Sequence, residues 1–386
     1  MRKNRGVLVA REVTAMDGKK NRTRTKTEKY FDYSLLFIVV FLVCFGLVMI
    51  FSTSAYNSQI ENGGDSFYYL RRQCMFAALG LVGMTVVSRI PYHFWKRFTL
   101  PAYVVINILL AVVLLYGVAS HGQRRWIQIG PIQFQPSEVA KAVLIVFLAH
   151  VASNGVKQLK NWKGVVKCFA LVLPMVILVT VSNLSTGIIM LGMSFIIIFV
   201  ASNQYKIFAG VVGAGVALVF VFLQVAAYRM DRIEAWLHVE TSDSAYQTRQ
   251  ALYAIGSGGV FGKGLGRSIQ KLSYVPEAHN DMIFSIICEE LGLFGAIAII
   301  LLFILLLWRC MIIANNAPDL YGALIVIGVM AQIGLQVIIN IGVVTNTLPN
   351  TGIPLPFISY GGTSVSFLLC EIGLVLSVSR SIKFKR

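Results

Sequence analysis

A single aspartate, Asp281, stands directly before a long apolar run, behind His279 and Asn280 and four residues after Glu277. A carboxylate there can do one of two things. It can cap a helix N-terminus and steady its dipole. Partly desolvated, it can instead take a proton from a hydroxyl held within hydrogen-bond reach. Glu289 and Glu290, two turns further on, are expected to pair with buried partners. Three other clusters place polar or helix-breaking residues beside apolar runs. The stretch 121–141 holds Arg124, Arg125, Trp126 and a helix start at Pro136-Ser137-Glu138, with Glu138 and Lys141 on one helix face. It reads either as an intrahelical ion pair or as a basic pocket of Arg124, Arg125 and Lys141 for an anionic lipid headgroup. The glycine-rich run from Gly262 to Arg267 fits neither nucleotide-binding glycine pattern. As flexible backbone it can present Lys263 and Arg267 to a lipid pyrophosphate. The stretch 346–364 carries Pro349, Pro354 and Pro356, then Ser359, and opens an apolar run at Gly361-Gly362-Thr363. Unpaired N–H groups at such a start form an anion site or a plain cap.

All of these must be positioned by elements that live in lipid. The chain has 386 residues, 56% hydrophobic and 13% charged, about half the charge of a soluble domain. Ten apolar runs follow one another, at about 33–51, 75–87, 100–118, 139–151, 165–181, 187–201, 208–226, 282–308, 321–343 and 364–378. Each approaches the roughly 20 residues that cross a bilayer core, the second, fourth and sixth by borrowing flanking polar residues. The fold class is therefore an all-α polytopic membrane protein of about ten transmembrane helices. A large extracytoplasmic loop, about 228–280, lies between helices 7 and 8. The net charge of +17 does not indicate nucleic-acid binding, because the basic residues flank the apolar runs. About two thirds of the 34 lysines and arginines fall on one side, which the positive-inside bias makes cytoplasmic, with both termini. Residues 1–31 form a basic cytoplasmic tail expected to be disordered, and 32–386 the membrane domain. No cleavable signal peptide is apparent, and the six cysteines form no zinc or disulfide pattern.

These clusters, in this order, resemble the SEDS family, the group of FtsW, RodA and SpoVE. The matching pieces are Arg124-Arg125-Trp126-Ile127 with the run from Phe134 to Lys141, Gly262 to Gly266, Pro276 to Phe284, Glu289 to Gly292, and Gly352 to Gly362. The resemblance runs from about Asp32 to the carboxyl terminus. It implies ten spans and a lipid II polymerase at the outer face of the bacterial cytoplasmic membrane. A class B penicillin-binding protein and division or sporulation membrane proteins are the implied partners. The family's key carboxylate falls on Asp281. That acid is expected to deprotonate the acceptor's sugar 4-hydroxyl, whose oxygen attacks the donor's anomeric carbon and displaces undecaprenyl pyrophosphate. Arg124, Arg125, Glu138, Lys141, Lys263, Arg267, Glu277, His279, Asn280, Ser359, Gly361, Gly362 and Thr363 are the expected substrate-binding residues. A divalent cation, Mg²⁺ or Mn²⁺, is the cofactor this chemistry would accept. Two departures stand out: Asn280 where the family has Thr, and Asn183 where it has an acid. The alternatives are a lipid II flippase and a non-catalytic scaffold for a penicillin-binding protein. The septal and spore-wall branches fit better than RodA, from Phe31-Asp32-Tyr33 and the Ser52–Ala55 stretch.

Reporter fusions after residues 240 and 386 should register opposite sides of the membrane. Signals from one side would overturn the assigned topology.

Overall fold

The computed structural model describes residues 28–61, 63–120, 123–129, 132–202, 208, 210 and 230–384. Long helices dominate, because in lipid every backbone polar group must find its partner within the protein. In chain order they are α1 (Tyr33–Glu61), α2 (Tyr68–Arg89), α3 (Thr99–Tyr116), α4 (Pro136–Asn154), a single turn α5 (Val156–Leu159), α6 (Trp162–Ser182) and α7 (Leu184–Ser202). Then come the short α8 (Met230–Leu237) and α9 (Tyr246–Gly258), followed by α10 (Ile283–Asn315), α11 (Leu320–Val344) and α12 (Thr363–Ser381). Nine helices among the described residues are long and apolar enough to span a membrane, the third including the turn at Tyr92–Phe98. The seventh expected span, at 208–226, lies almost wholly outside the described residues, as does the tail before Glu28. The second, fourth and sixth spans do extend over polar flanks, to Tyr68–Arg89, Pro136–Asn154 and Leu184–Ser202.

Burial runs inward from lipid. Phe37, Phe41, Leu79, Val105 and Ile177 are exposed on the outer helices, whereas α4, α11 and α12 are the most enclosed. Small residues let α2 and α12 meet closely, as in many membrane helix pairs. A Cβ on Gly80 would meet Ser366 Cα at 2.8 Å, and one on Gly373 would meet Met84 O at 2.7 Å.

Both ends of the membrane domain join on one side. Strand β1 (Glu28–Lys29) pairs antiparallel with the last strand, Lys383–Phe384. Asp32 caps α1 by accepting from Leu35 N at 2.8 Å, and also accepts from Arg309 Nη2 at 2.6 Å. A hairpin of β2 (Val118–Ser120), β3 (Gln123–Ile129) and β4 (Ile132–Phe134) connects α3 to α4, which makes the final strand β5.

The helix α10 is broken. Gly292 has φ 66° and ψ −166°, a region that only glycine occupies readily. The glycine-rich run fills the break with its own backbone. Lys263 N and Gly264 N donate to Glu289 O and Glu290 O, each at 2.9 Å. On the other side, Leu293 N donates to Gly259 O at 2.9 Å and Phe294 N to Val260 O at 3.1 Å. Both exposed helix ends are thus satisfied, which buried backbone requires. A Cβ on Gly292 would meet Gly262 N at 2.3 Å and Val260 O at 2.5 Å. Gly292→Ala should therefore cost about 2 kcal/mol or more in backbone strain and overpacking. Thermal unfolding in detergent reads this, and an unchanged midpoint would show that the break can close without penalty.

Candidate functional site

Asp281 lies two residues before α10 and is 7% exposed. Its backbone is pinned from α11, where Asn340 Nδ2 donates to Asp281 O at 2.7 Å and to Ile353 O at 2.8 Å. One carboxylate oxygen accepts from Gln247 Nε2 of α9 at 3.4 Å. The other faces Gly352, where an added Cβ would stand 3.6 Å away. No ion pair reaches Asp281 among the described residues. Burial, followed by the charge of Glu277, pushes its carboxyl up from 3.8 to about 7. Such a group is half ionised at neutral pH, the range suited to a general base.

Two residues before it, His279 stands in an aromatic cluster. The His279 ring packs 4.5 Å from Tyr69 and 5.7 Å from Tyr360, and Tyr360 N donates to His279 O at 2.9 Å. Burial holds the His279 imidazole below its ordinary range, against the opposing charges of Glu277 and Glu61. His279 is thus a neutral group at pH 7 and adds no cation. Arg72 supplies one: its guanidinium donates to Tyr68 OH at 2.8 Å and hydrogen-bonds the Tyr360 hydroxyl. Glu277 is exposed, with φ 53°, and accepts from Asn280 Nδ2 at 3.4 Å. Buried oxygens and nitrogens at Thr363 Oγ1, Thr351 Oγ1 and His279 Nδ1 have no hydrogen-bond partner among the described residues. Native proteins meet such groups with water or ligand.

Several expected substrate contacts have other partners. Lys141 Nζ pairs with Glu138 Oε2 at 3.0 Å, and Ser364 Oγ donates to the same oxygen at 2.6 Å. The ion pair expected at that helix start is present, and Lys141 is 2% exposed. With Ser359 and Gly361 the pair lines a crevice of about 20 Å³, room for about one water molecule. Ser359 Oγ accepts from Leu355 N at 2.8 Å and so closes its own turn. The anion site expected at Gly361 and Gly362 is occupied from within: both amides donate to Gln73 Oε1 at 3.3 Å. Lys263 is not free for pyrophosphate either, since Nζ pairs with Glu289 Oε1 at 2.7 Å. Arg125 Nε donates to Ser182 O at 2.7 Å and ties the hairpin to α6. Arg124 lies in β3, with its side chain outside the described residues. Arg267 is exposed and makes no ion pair among the described residues. Asn183, which stands where the SEDS pattern has an acid, accepts from Thr186 N at 3.2 Å, a capping role either residue type can fill.

Sequence reasoning missed Arg72, Gln73, Gln247 and Asn340. Each sits inside an otherwise apolar helix or an unmarked loop helix, where only the oddity of a buried amide or cation in a span could have flagged it. It also missed Lys271, whose Nζ meets Glu290 Oε1 at 2.8 Å and Ser52 Oγ at 2.9 Å.

The family whose description is "Cell cycle protein", covering FtsW, RodA and SpoVE, matches residues 33–383. Stage V sporulation protein E of Bacillus subtilis (strain 168) is 40% identical over 362 residues, covering 92% of this chain and 98% of that protein. A probable peptidoglycan glycosyltransferase FtsW of Geobacter sp. (strain M18) is 36% identical over 361 residues, with 92% and 98% covered. Among solved structures, a chain described under "Structural coordination of polymerization and crosslinking by a peptidoglycan synthase complex" aligns with a TM-score of 0.74 at 28% identity. It covers 91% of this chain and 98% of that one. The rod shape determining protein RodA of Thermus thermophilus aligns with a TM-score of 0.66 at 28% identity, covering 91% and 97%.

Gln73→Leu removes the acceptor for two amides and the donor to Ser359 O. Leaving such groups buried and unpaired should cost about 1–3 kcal/mol. A thermal unfolding midpoint equal to wild type would show that water replaces the amide.

Proposed function

Because the chain belongs to the family of FtsW, RodA and SpoVE, we propose that it is a peptidoglycan glycosyltransferase polymerising lipid II at the outer face of the cytoplasmic membrane. The observation that carries this reading is Asp281: a buried carboxylate with no cation partner among the described residues, raised to about 7, beside a glycine that leaves it space. Asp281 takes the proton from the acceptor's sugar 4-hydroxyl. The oxygen attacks the donor's anomeric carbon as undecaprenyl pyrophosphate departs. Negative charge grows on that diphosphate and needs preorganised donors. Arg72 beside Tyr360 and the exposed Arg267 are the cations suited to it. Lys141 and Lys263, bound to Glu138 and Glu289, act by holding the walls in place.

A divalent cation would supply charge against the departing diphosphate, and Mg²⁺ is commonly held by one or two carboxylates together with phosphate oxygens. No three His, Cys, Asp or Glu side chains gather to form a full cage among the described residues. The exposed Glu277 is the carboxylate that would hold such an ion, and its role would be to neutralise diphosphate.

The similarity to Stage V sporulation protein E and to FtsW favours septal or spore-wall synthesis. The alignment with a chain of a peptidoglycan synthase complex favours a class B penicillin-binding protein as partner. The uneven distribution of lysine and arginine supports cytoplasmic termini.

Purified protein, with and without its partner, should convert lipid II to glycan strands. Asp281→Asn should bind lipid II yet lose about 10²–10⁴ in rate; polymer at the wild-type rate would remove Asp281 from the mechanism. As the base must be ionised, kcat/KM should fall as pH drops through about 7, roughly tenfold per unit below it. An acid limb near pH 4 would mean that a carboxylate of ordinary pKa is the base.

A further inference from the structure

An open groove of the described structure lies far in sequence from Asp281. It lies at the turn between α4 and α6, is about 470 Å³, and is lined by Gln158, Asn161, Trp162, Lys163, Gly164 and Lys167. That volume falls within the roughly 300–1,000 Å³ typical of small-ligand sites. The turn is tightly built: Leu159 is 1% exposed, and a Cβ on Gly164 would meet Gln158 O at 2.1 Å.

Its charge is unbalanced. Lys157, Lys160, Lys163 and Lys167 are all exposed, and none forms an ion pair among the described residues. The sequence offers no local counter-charge, for no Asp or Glu occurs between Val139 and Met230. Lys163 and Lys167 are four apart and share one face of α6. Asn161 leaves the α6 start without a side-chain cap, so the first N–H groups add positive potential to the lysines.

The adjoining face of α6 is apolar and outward. Trp162 is 61% exposed, Val166 49%, Leu173 44% and Ile177 56%. These positions follow helical spacing down from the groove along a membrane-spanning helix. An indole at that level marks the interface between headgroups and acyl chains. A cationic groove continuous with a greasy stripe matches a molecule with an anionic head and an apolar tail. A bias in topology requires the lysines alone; it requires neither the concave turn nor the exposed indole.

We propose that this groove binds the phosphate headgroup of an anionic phospholipid, with Lys163 and Lys167 on the phosphate, Trp162 at the glycerol level and an acyl chain along Val166, Leu173 and Ile177. The proposal is independent of the chemistry assigned to Asp281.

The test uses the full-length protein in vesicles containing acyl-brominated phosphatidylglycerol or acyl-brominated phosphatidylcholine at equal mole fraction. The Trp162 signal is isolated by subtracting Trp162→Phe, and its quenching is compared. Phosphatidylglycerol should quench it more strongly. Lys163→Gln with Lys167→Gln should weaken the apparent affinity roughly fivefold for each lysine. The paired Lys→Arg variants should keep the preference. Arg89→Gln with Arg97→Gln, an equal loss of charge elsewhere on that side, should keep it too. Equal quenching by both lipids, equal loss in the Arg89/Arg97 variant, or abolition of the preference by millimolar inorganic phosphate would overturn the proposal.

Discussion

The structure depends on the break in α10 at Gly292 and the loop backbone that fills it. A span of 33 residues would run about 50 Å as one helix, well beyond a core of about 30 Å. Interrupting it exposes carbonyls on one side and amides on the other, a severe cost near lipid unless protein supplies partners. The run from Gly259 to Gly264 supplies four of them. Two acid–lysine contacts fasten the same junction, Glu289 with Lys263 and Glu290 with Lys271, and the latter reaches Ser52 of α1. The segment before the break is thereby held as a rigid post, and Asp281 stands at its head.

Charge placement around that post follows one rule. Acids that hold the walls have a lysine or arginine within 3.0 Å: Glu138, Glu289, Glu290 and Asp32. Asp281 has none. A cation in contact would lower its pKa and weaken it in the proposed role of base; the neutral amide of Gln247 lowers it too, but burial outweighs that.

Much of this was legible in the sequence. Apolar runs mark the spans, because helix is the cheapest way to bury a backbone in hydrocarbon, and the lone acid before the eighth run marks the candidate site. The long eighth run concealed its kink: Gly292 sits among residues that continue a helix on either side, and the partner filling the break is about thirty residues upstream. The glycine-rich run reads as flexible backbone presenting Lys263 and Arg267, because its flexibility is evident in the sequence and its backbone partners are not. Gly361 and Gly362 looked like an anion cradle for a similar reason. Their acceptor, Gln73, is 288 positions away from Gly361, a separation no local pattern encodes. Pairings of neighbours on one helix, such as Glu138 with Lys141, were readable because geometry fixes them within one turn.

The pairing of Glu28–Lys29 with Lys383–Phe384 bears on how the protein is made. The opening helix has its cap, Asp32, bonded to Arg309 and to Ser379 Oγ through its own amide. These partners are made 277 and 347 residues after Asp32. The entry segment must therefore wait, unlatched, while the intervening helices insert, and a chain cut short before Lys383 would leave that first helix without its strand clasp.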